Sequence, residues 1–272
     1  MTVARTSASV DVPRQPTAAG ARPVARTAAA VRLTAPGPAA VLREIVLVTA
    51  LLLAYQGGRL LGGHDRLTAD ANGLRVLQLE QVLRLPREQD LQALVLPLEP
   101  VVQAANGFYA AAHLPVTALA LLWLLVRRPA VYRWARTALG AATGTALVVY
   151  VLVPVTPPRL LDGHGFVDTA ELHGQSVYDA SSSLTNQFAA LPSLHVGWAV
   201  LVAVVCVSAS ATRWAWLWVL HPVATVAVVV ATGNHYWLDA AAGAALVGIA
   251  LVAARHRPLG TGPLRTGRRP AP

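Results

Sequence analysis

Long apolar stretches alternate with polar connections along this chain of 272 residues. A bilayer core takes about 20 predominantly apolar residues per helix. Six stretches reach that length, over residues 42–61, 107–126, 137–155, 192–211, 214–232 and 236–254. Gly140, Gly144, Gly243 and Gly248, in the third and sixth, suit close helix packing in lipid. The pattern predicts an all-α fold, a polytopic bundle of six transmembrane helices occupying residues 41–255. Residues 74–105, between the first two stretches, are too polar to cross. Their leucines and valines recur at near-helical spacing and are cut by Pro86 and Pro97, which predicts short amphipathic helices. Such helices either lie in the outer interface or pack over the bundle. Residues 1–40 are rich in Ala, Thr, Pro and Arg without a sustained apolar period, and read as a disordered cytoplasmic tail. Their Arg-rich, acid-poor character also suits an organelle transit peptide. Residues 256–272 read as a second disordered tail.

Composition narrows the class. The chain is 55% hydrophobic and 13% charged, against about 25% charged residues in a soluble domain, which excludes a water-facing globule. A net charge of +9, with arginine at all 22 basic positions, could signal an acidic polymer as partner. The placement of the arginines argues otherwise. Sixteen of them fall in four segments: before or opening the first span, in the second connection (Arg127, Arg128, Arg133, Arg136), in the fourth (Arg213), and after the last span from Arg255 onward. Asp11 and Glu44 are the only acids there. The first and third connections are mixed or acidic, with Asp65, Asp70, Glu80, Glu88, Asp90 and Glu99, then Asp162, Asp168, Glu171 and Asp179. Arginine bias in short loops marks the cytoplasmic side, so both termini are expected inside, in the plasma membrane, with no nucleic-acid partner. Trp214, Trp216 and Trp218 then form an inner interfacial belt. The single thiol, Cys206, lies in an apolar run and excludes an internal disulfide or a cysteine metal cluster.

This topology, derived without them, brings three polar motifs to the outer ends of spans: VPVTPPR at 153–159, LPSLH at 191–195 and GNHYWLD at 233–239. His235 and Asp239 are four apart and stack on one helical face, where the carboxylate can accept the imidazole N–H and fix the tautomer. The other ring nitrogen is then a usable nucleophile or base. An interfacial ion pair is the plainer use of the same two residues. Pro192 suits a first helical position. Ser193, Leu194 and His195 would follow in a first turn whose free N–H groups favour an anion. Arg159 follows a double proline, and its fork of donors matches phosphate oxygens, although an arginine at a membrane boundary also serves as a snorkelling anchor. Together these residues suggest phosphoryl transfer. Metal binding, the competing use, leaves Pro192, Ser193 and Arg159 without a purpose. Tyr109 and His113 could line the same cavity or simply pack, and Asn186 and Asn234 neighbour the motifs. His221, beside Pro222, is expected to be structural, and His164 and His173 to sit in a solvated loop.

The segment NQFAALPSLHVGW (186–198), with HYWLD (235–239) downstream and Pro157-Pro158-Arg159 upstream, resembles the membrane branch of the type-2 phosphatidic-acid phosphatase superfamily. Within it the likeness is greatest to the inositolphosphorylceramide-synthase-like group and its bacterial relatives, over roughly residues 40–255. The resemblance implies a lipid phosphotransferase with no cofactor and no metal requirement. His235 would be the histidine that forms a phosphohistidine, Asp239 its orienting acid, His195 the general acid, and Ser193 and Arg159 phosphate ligands. Two cationic positions of the phosphatases differ. The lysine before the first-motif arginine is missing, and Val228 and Val229 stand where the phosphatases carry Ser-Arg. Both differences fit the synthase-like group better than a plain lipid or polyprenyl-phosphate phosphatase, which stays open beside it. A non-catalytic lipid-binding membrane protein is the alternative of another class.

Overall fold

The computed structural model describes residues 42–44, 46–47, 49–50, 53, 57, 65–175 and 187–255. Both expected tails, most of the first span and Asn186 lie outside the described residues. Those described within 42–57 are helical. Nine α-helices follow among the described residues: α1 (Arg66–Val82), α2 (Glu88–Val95), α3 (Glu99–Ala111), α4 (His113–Arg127), α5 (Pro129–Leu152), α6 (Thr169–Leu172), α7 (Leu194–Ala209), α8 (Leu220–Ala231) and α9 (Trp237–Arg255). The described residues contain no strand, only an isolated bridge between Val155 and Ala189.

Helix α7 is apolar on every side and buries most of its length, leaving Val204 and Val207 exposed. It packs against α4, α5, α8 and α9. The main core joins Leu124 of α4, Ala135, Ala138 and Ala142 of α5, Leu201, Val205 and Cys206 of α7, and Val247 and Leu251 of α9. The alanines let α5 approach closely enough to bury the valines and leucines of α7.

Among the described residues two helices, α5 and α9, are long and apolar enough by themselves to cross a membrane, and α3 with α4 makes a third candidate bent by 48° at Ala112. The expected six spans therefore do not all appear as full-length helices. Helix α7 has 16 residues, about 24 Å at about 1.5 Å per residue, short of a core about 30 Å thick. The expected span 214–232 divides into a 3₁₀ segment, Ala215–Val219, and α8. In the first connection, breaks fall at Pro86 and Pro97 as expected, although α1 starts at Arg66, ahead of residue 74. Helix α2 packs on α8 and α1 touches α9, so this segment covers the bundle. It still exposes Leu67, Val82, Leu83, Leu94 and Leu98.

Arginines gather at one end of the helices. Arg128 Nε donates to the carbonyl of Ala209 at the end of α7 (3.2 Å), and Arg255 at the end of α9 lies 4.4 Å over the Trp134 ring near the start of α5. Arg213 stacks on the exposed Trp214. Arg133 and Arg136 belong to the first turns of α5 and not to the connection before it, and Arg136 pairs with Glu44. The three polar motifs sit at the opposite ends of the same helices.

Of the glycines expected to pack closely, Gly243 does so. A methyl group there would lie 2.1 Å from the Ser193 carbonyl oxygen. Gly144 and Gly248 have no atom within 4 Å of that position. Gly197, unremarkable in the sequence, is the facing contact: its added methyl group would lie 3.0 Å from the Gly243 carbonyl oxygen. This backbone-to-backbone crossing of α7 and α9 brings the second and third motifs together.

Candidate active site

His235 stands just before α9 and is buried. Its Nδ1 lies 2.9 Å from the Ala190 carbonyl oxygen and 3.4 Å from Asp239 Oδ2. Two acceptors on one nitrogen place the proton on Nδ1 and leave the lone pair on Nε2. The sequence suggested Asp239 alone for this role. The shorter partner is a main-chain carbonyl, which no motif could reveal. Asp239, wholly buried, also accepts from the Tyr236 N–H at 3.0 Å, and its own carbonyl accepts from the Ser193 N–H at 3.0 Å.

The first turn of α7 starts two positions later than expected. Ser193 is its N-cap, so Pro192 precedes the cap instead of opening the helix. Ser193 Oγ accepts from the Val196 N–H at 3.4 Å, because a capping hydroxyl satisfies one of the otherwise orphaned N–H groups. His195 follows in the first turn. Its ring stacks on Tyr109 (centroids 4.3 Å apart, planes at 25°) and lies 4.1 Å from His113 and 5.7 Å from His235. Tyr109 is on α3 and His113 opens α4 at the bend, so the break in that pair presents both rings to His195. Trp198 lies 5.8 Å from His113.

Arg159 sits in a 3₁₀ turn after the double proline. Its main-chain N–H donates to the Gly233 carbonyl (2.8 Å) and its Nε to Asn234 Oδ1 (3.0 Å), joining the first motif to the third. Its Nη1 pairs with Asp168, whose other oxygen caps α6. Asp168 was legible only as one acid among several in a connection. Arg159 and Asn234 line a small pocket with Asn106, Tyr109, Ala170 and Gln175. Gly233 holds φ at +67°, a backbone state open to glycine, where the chain turns back toward Arg159. Tyr236 anchors the other side, donating its hydroxyl to the Thr156 carbonyl at 2.8 Å.

His195, His235, Asp239, Ser193, Arg159, Asn234, Tyr109 and His113 thus come together, and Asn186 lies outside the described residues. His221 is at the far end of α8, edge-on to Phe108 (6.3 Å). His164 is exposed, with Nδ1 2.8 Å from the Asp162 carbonyl oxygen, and His173 lies 3.8 Å from Glu99. Among the described residues no three His, Cys, Asp or Glu side chains converge as a metal would need.

The buried His235, the half-buried His195, the buried Arg159 side chain and a capped helix terminus lie at one end of an apolar bundle, an arrangement suited to an anionic group. A family model for the PAP2 superfamily matches residues 74–253, and the chain belongs to that superfamily. Searches of curated proteins and of solved structures gave no match. The family and the apolar helices point to an integral membrane protein, a phosphatase-type enzyme with phosphatase or phosphotransferase activity on lipid phosphates.

Proposed function

We propose that this protein is a lipid phosphotransferase of the inositolphosphorylceramide-synthase-like kind, acting through a phosphohistidine on His235. The observation that carries the reading is the His235 ring, held at Nδ1 by the Ala190 carbonyl and Asp239, with His195 5.7 Å away. Nε2 attacks phosphorus as the bond to the leaving oxygen breaks, and His195 gives that oxygen its proton. An acceptor alcohol then attacks, losing its proton to His195 as the P–N bond breaks. Arg159 and the hydroxyl of Ser193 contact the phosphoryl oxygens, so positioning and charge stabilisation supply most of the rate.

In this reading residues 41–255 form a six-span domain in the plasma membrane, with both terminal tails cytoplasmic and the site on the outer face. The separation of the arginine-bearing helix ends from the site supports the orientation. The test is incubation of the full-length protein with labelled phosphatidic acid or phospholipid, with and without an alcohol acceptor. A new phosphate ester of the acceptor, a monoester from phosphatidic acid or a diester from a phospholipid, supports transfer, whereas free phosphate or free head-group phosphate alone assigns the protein to the hydrolases. His235→Ala should abolish turnover while the protein still inserts in membranes. Retained turnover would remove the phosphohistidine, and equal cellular function with alanine at both His195 and His235 would favour a non-catalytic lipid binder.

A further inference from the structure

Helix α9 opens on three buried carboxyl groups. Asp239 Oδ2 accepts from the Tyr236 N–H at 3.0 Å, Glu88 Oε1 from the Trp237 N–H at 3.4 Å, and Glu80 Oε1 from the Leu238 N–H at 2.7 Å. Glu80 is 3% exposed and Glu88 2% exposed. They come from α1 and α2, the segment over the bundle, and not from the helices that bear the site. The N-terminus of a helix favours negative charge. Three ionised carboxyl groups in one buried place would nevertheless repel one another. The Oε2 of Glu80 meets no hydrogen-bond partner.

We propose that Glu80 and Glu88 are positioning residues for the reaction, clamping the first turn of α9 so that Asp239 and His235 keep their alignment. The backbone groups they hold, Trp237 N–H and Leu238 N–H, lie between those two residues in the chain. The inference rests on the reading of His235 as the reacting group. The clamp works while Glu80 is neutral: burial, and then the neighbouring Glu88, push its carboxyl up to about 9. The titratable groups facing Glu80 are Glu88 from α2, and Asp239 and the Tyr236 phenol from α9. Asp70, on its own helix, also faces that phenol. Arg84 and Arg87, in the link between α1 and α2, are exposed.

The experiment measures kcat and KM of the full-length protein toward phosphatidic acid in mixed micelles, from pH about 6 to about 10. Glu80→Gln keeps the shape of the neutral acid and removes its titration. It should leave kcat at neutral pH near wild type and extend activity to higher pH. Glu80→Ala and Glu88→Ala should lower kcat about tenfold or more with little change in KM, as expected when a reacting group is misplaced. An alkaline limb in Glu80→Gln that coincides with wild type overturns the proposal. So does a Glu80→Gln protein that fails to accumulate, because a neutral side chain of that shape should be accepted. His235→Ala in the same series separates the two readings. Turnover by His235→Ala refutes the reaction assignment. An inactive His235→Ala beside an unshifted Glu80→Gln limb refutes only the clamp.

Discussion

Replacing Gly243 with alanine tests whether the crossing of α7 and α9 assembles the site. The added methyl group would lie 2.1 Å from the Ser193 carbonyl oxygen and 2.9 Å from its carbonyl carbon. An ordinary contact between carbon and oxygen is about 3.4 Å, so the two backbones must separate by roughly 1.3 Å. Neither atom belongs to a side chain that could rotate away. The Ser193 N–H to Asp239 carbonyl bond of 3.0 Å, and three residues earlier the Ala190 carbonyl on His235 at 2.9 Å, would both stretch beyond useful length. Overpacking of this kind destabilises by about 1–3 kcal/mol. The larger effect is on rate, because a misplacement of about 1 Å lowers turnover on the order of 100-fold. Gly248→Ala, five residues along the same helix, is the internal control. Its methyl group meets nothing within 4 Å, and alanine favours a helix interior by up to about 1 kcal/mol over glycine. The assay is phosphate transfer or release from phosphatidic acid in micelles, normalised to protein in the membrane fraction, with thermal unfolding in parallel. Turnover of Gly243→Ala close to that of Gly248→Ala would refute the idea that this crossing sets the site.

Two further outcomes follow from the buried charges. Asp168→Ala removes the carboxylate paired with Arg159, whose side chain is only 5% exposed. A buried charge without its partner destabilises by about 3–5 kcal/mol, so thermal unfolding should occur at lower temperature and KM for the lipid phosphate should rise; an unchanged melting profile would count against the pair. For Glu80, the folded protein retains a proton that the unfolded chain releases near 4.5, so stability falls as pH rises from there to about 9. The advantage of Glu80→Gln over wild type in thermal unfolding should accordingly grow across that interval and stay constant below it, and an advantage independent of pH would contradict the sign.

The apolar periodicity, the proline breaks at Pro86 and Pro97 and the three polar motifs were all legible in the sequence, because each depends on residues close together in the chain. The pairing of His235 with Asp239 was half legible: a spacing of four puts them on one face, but the shorter contact comes from the Ala190 carbonyl, and main-chain groups carry no residue-specific signal. Ser193 took the cap and moved the helix start past Pro192 for a local reason, since a serine hydroxyl satisfies a free N–H group there. Asp168, Glu80 and Glu88 looked like ordinary acids of polar connections until folding buried them against Arg159 and the start of α9.

The superfamily, the apolar helical architecture and the polar motifs of the candidate site were thus legible in the sequence alone. Only the tertiary structure decided which glycine admits the α7–α9 crossing, which carbonyl and carboxyl groups hold His235, and that α7 is a short, largely buried helix. Those properties depend on contacts between segments far apart in the chain, where a difference of about 1 Å in backbone approach separates a formed hydrogen bond from a lost one.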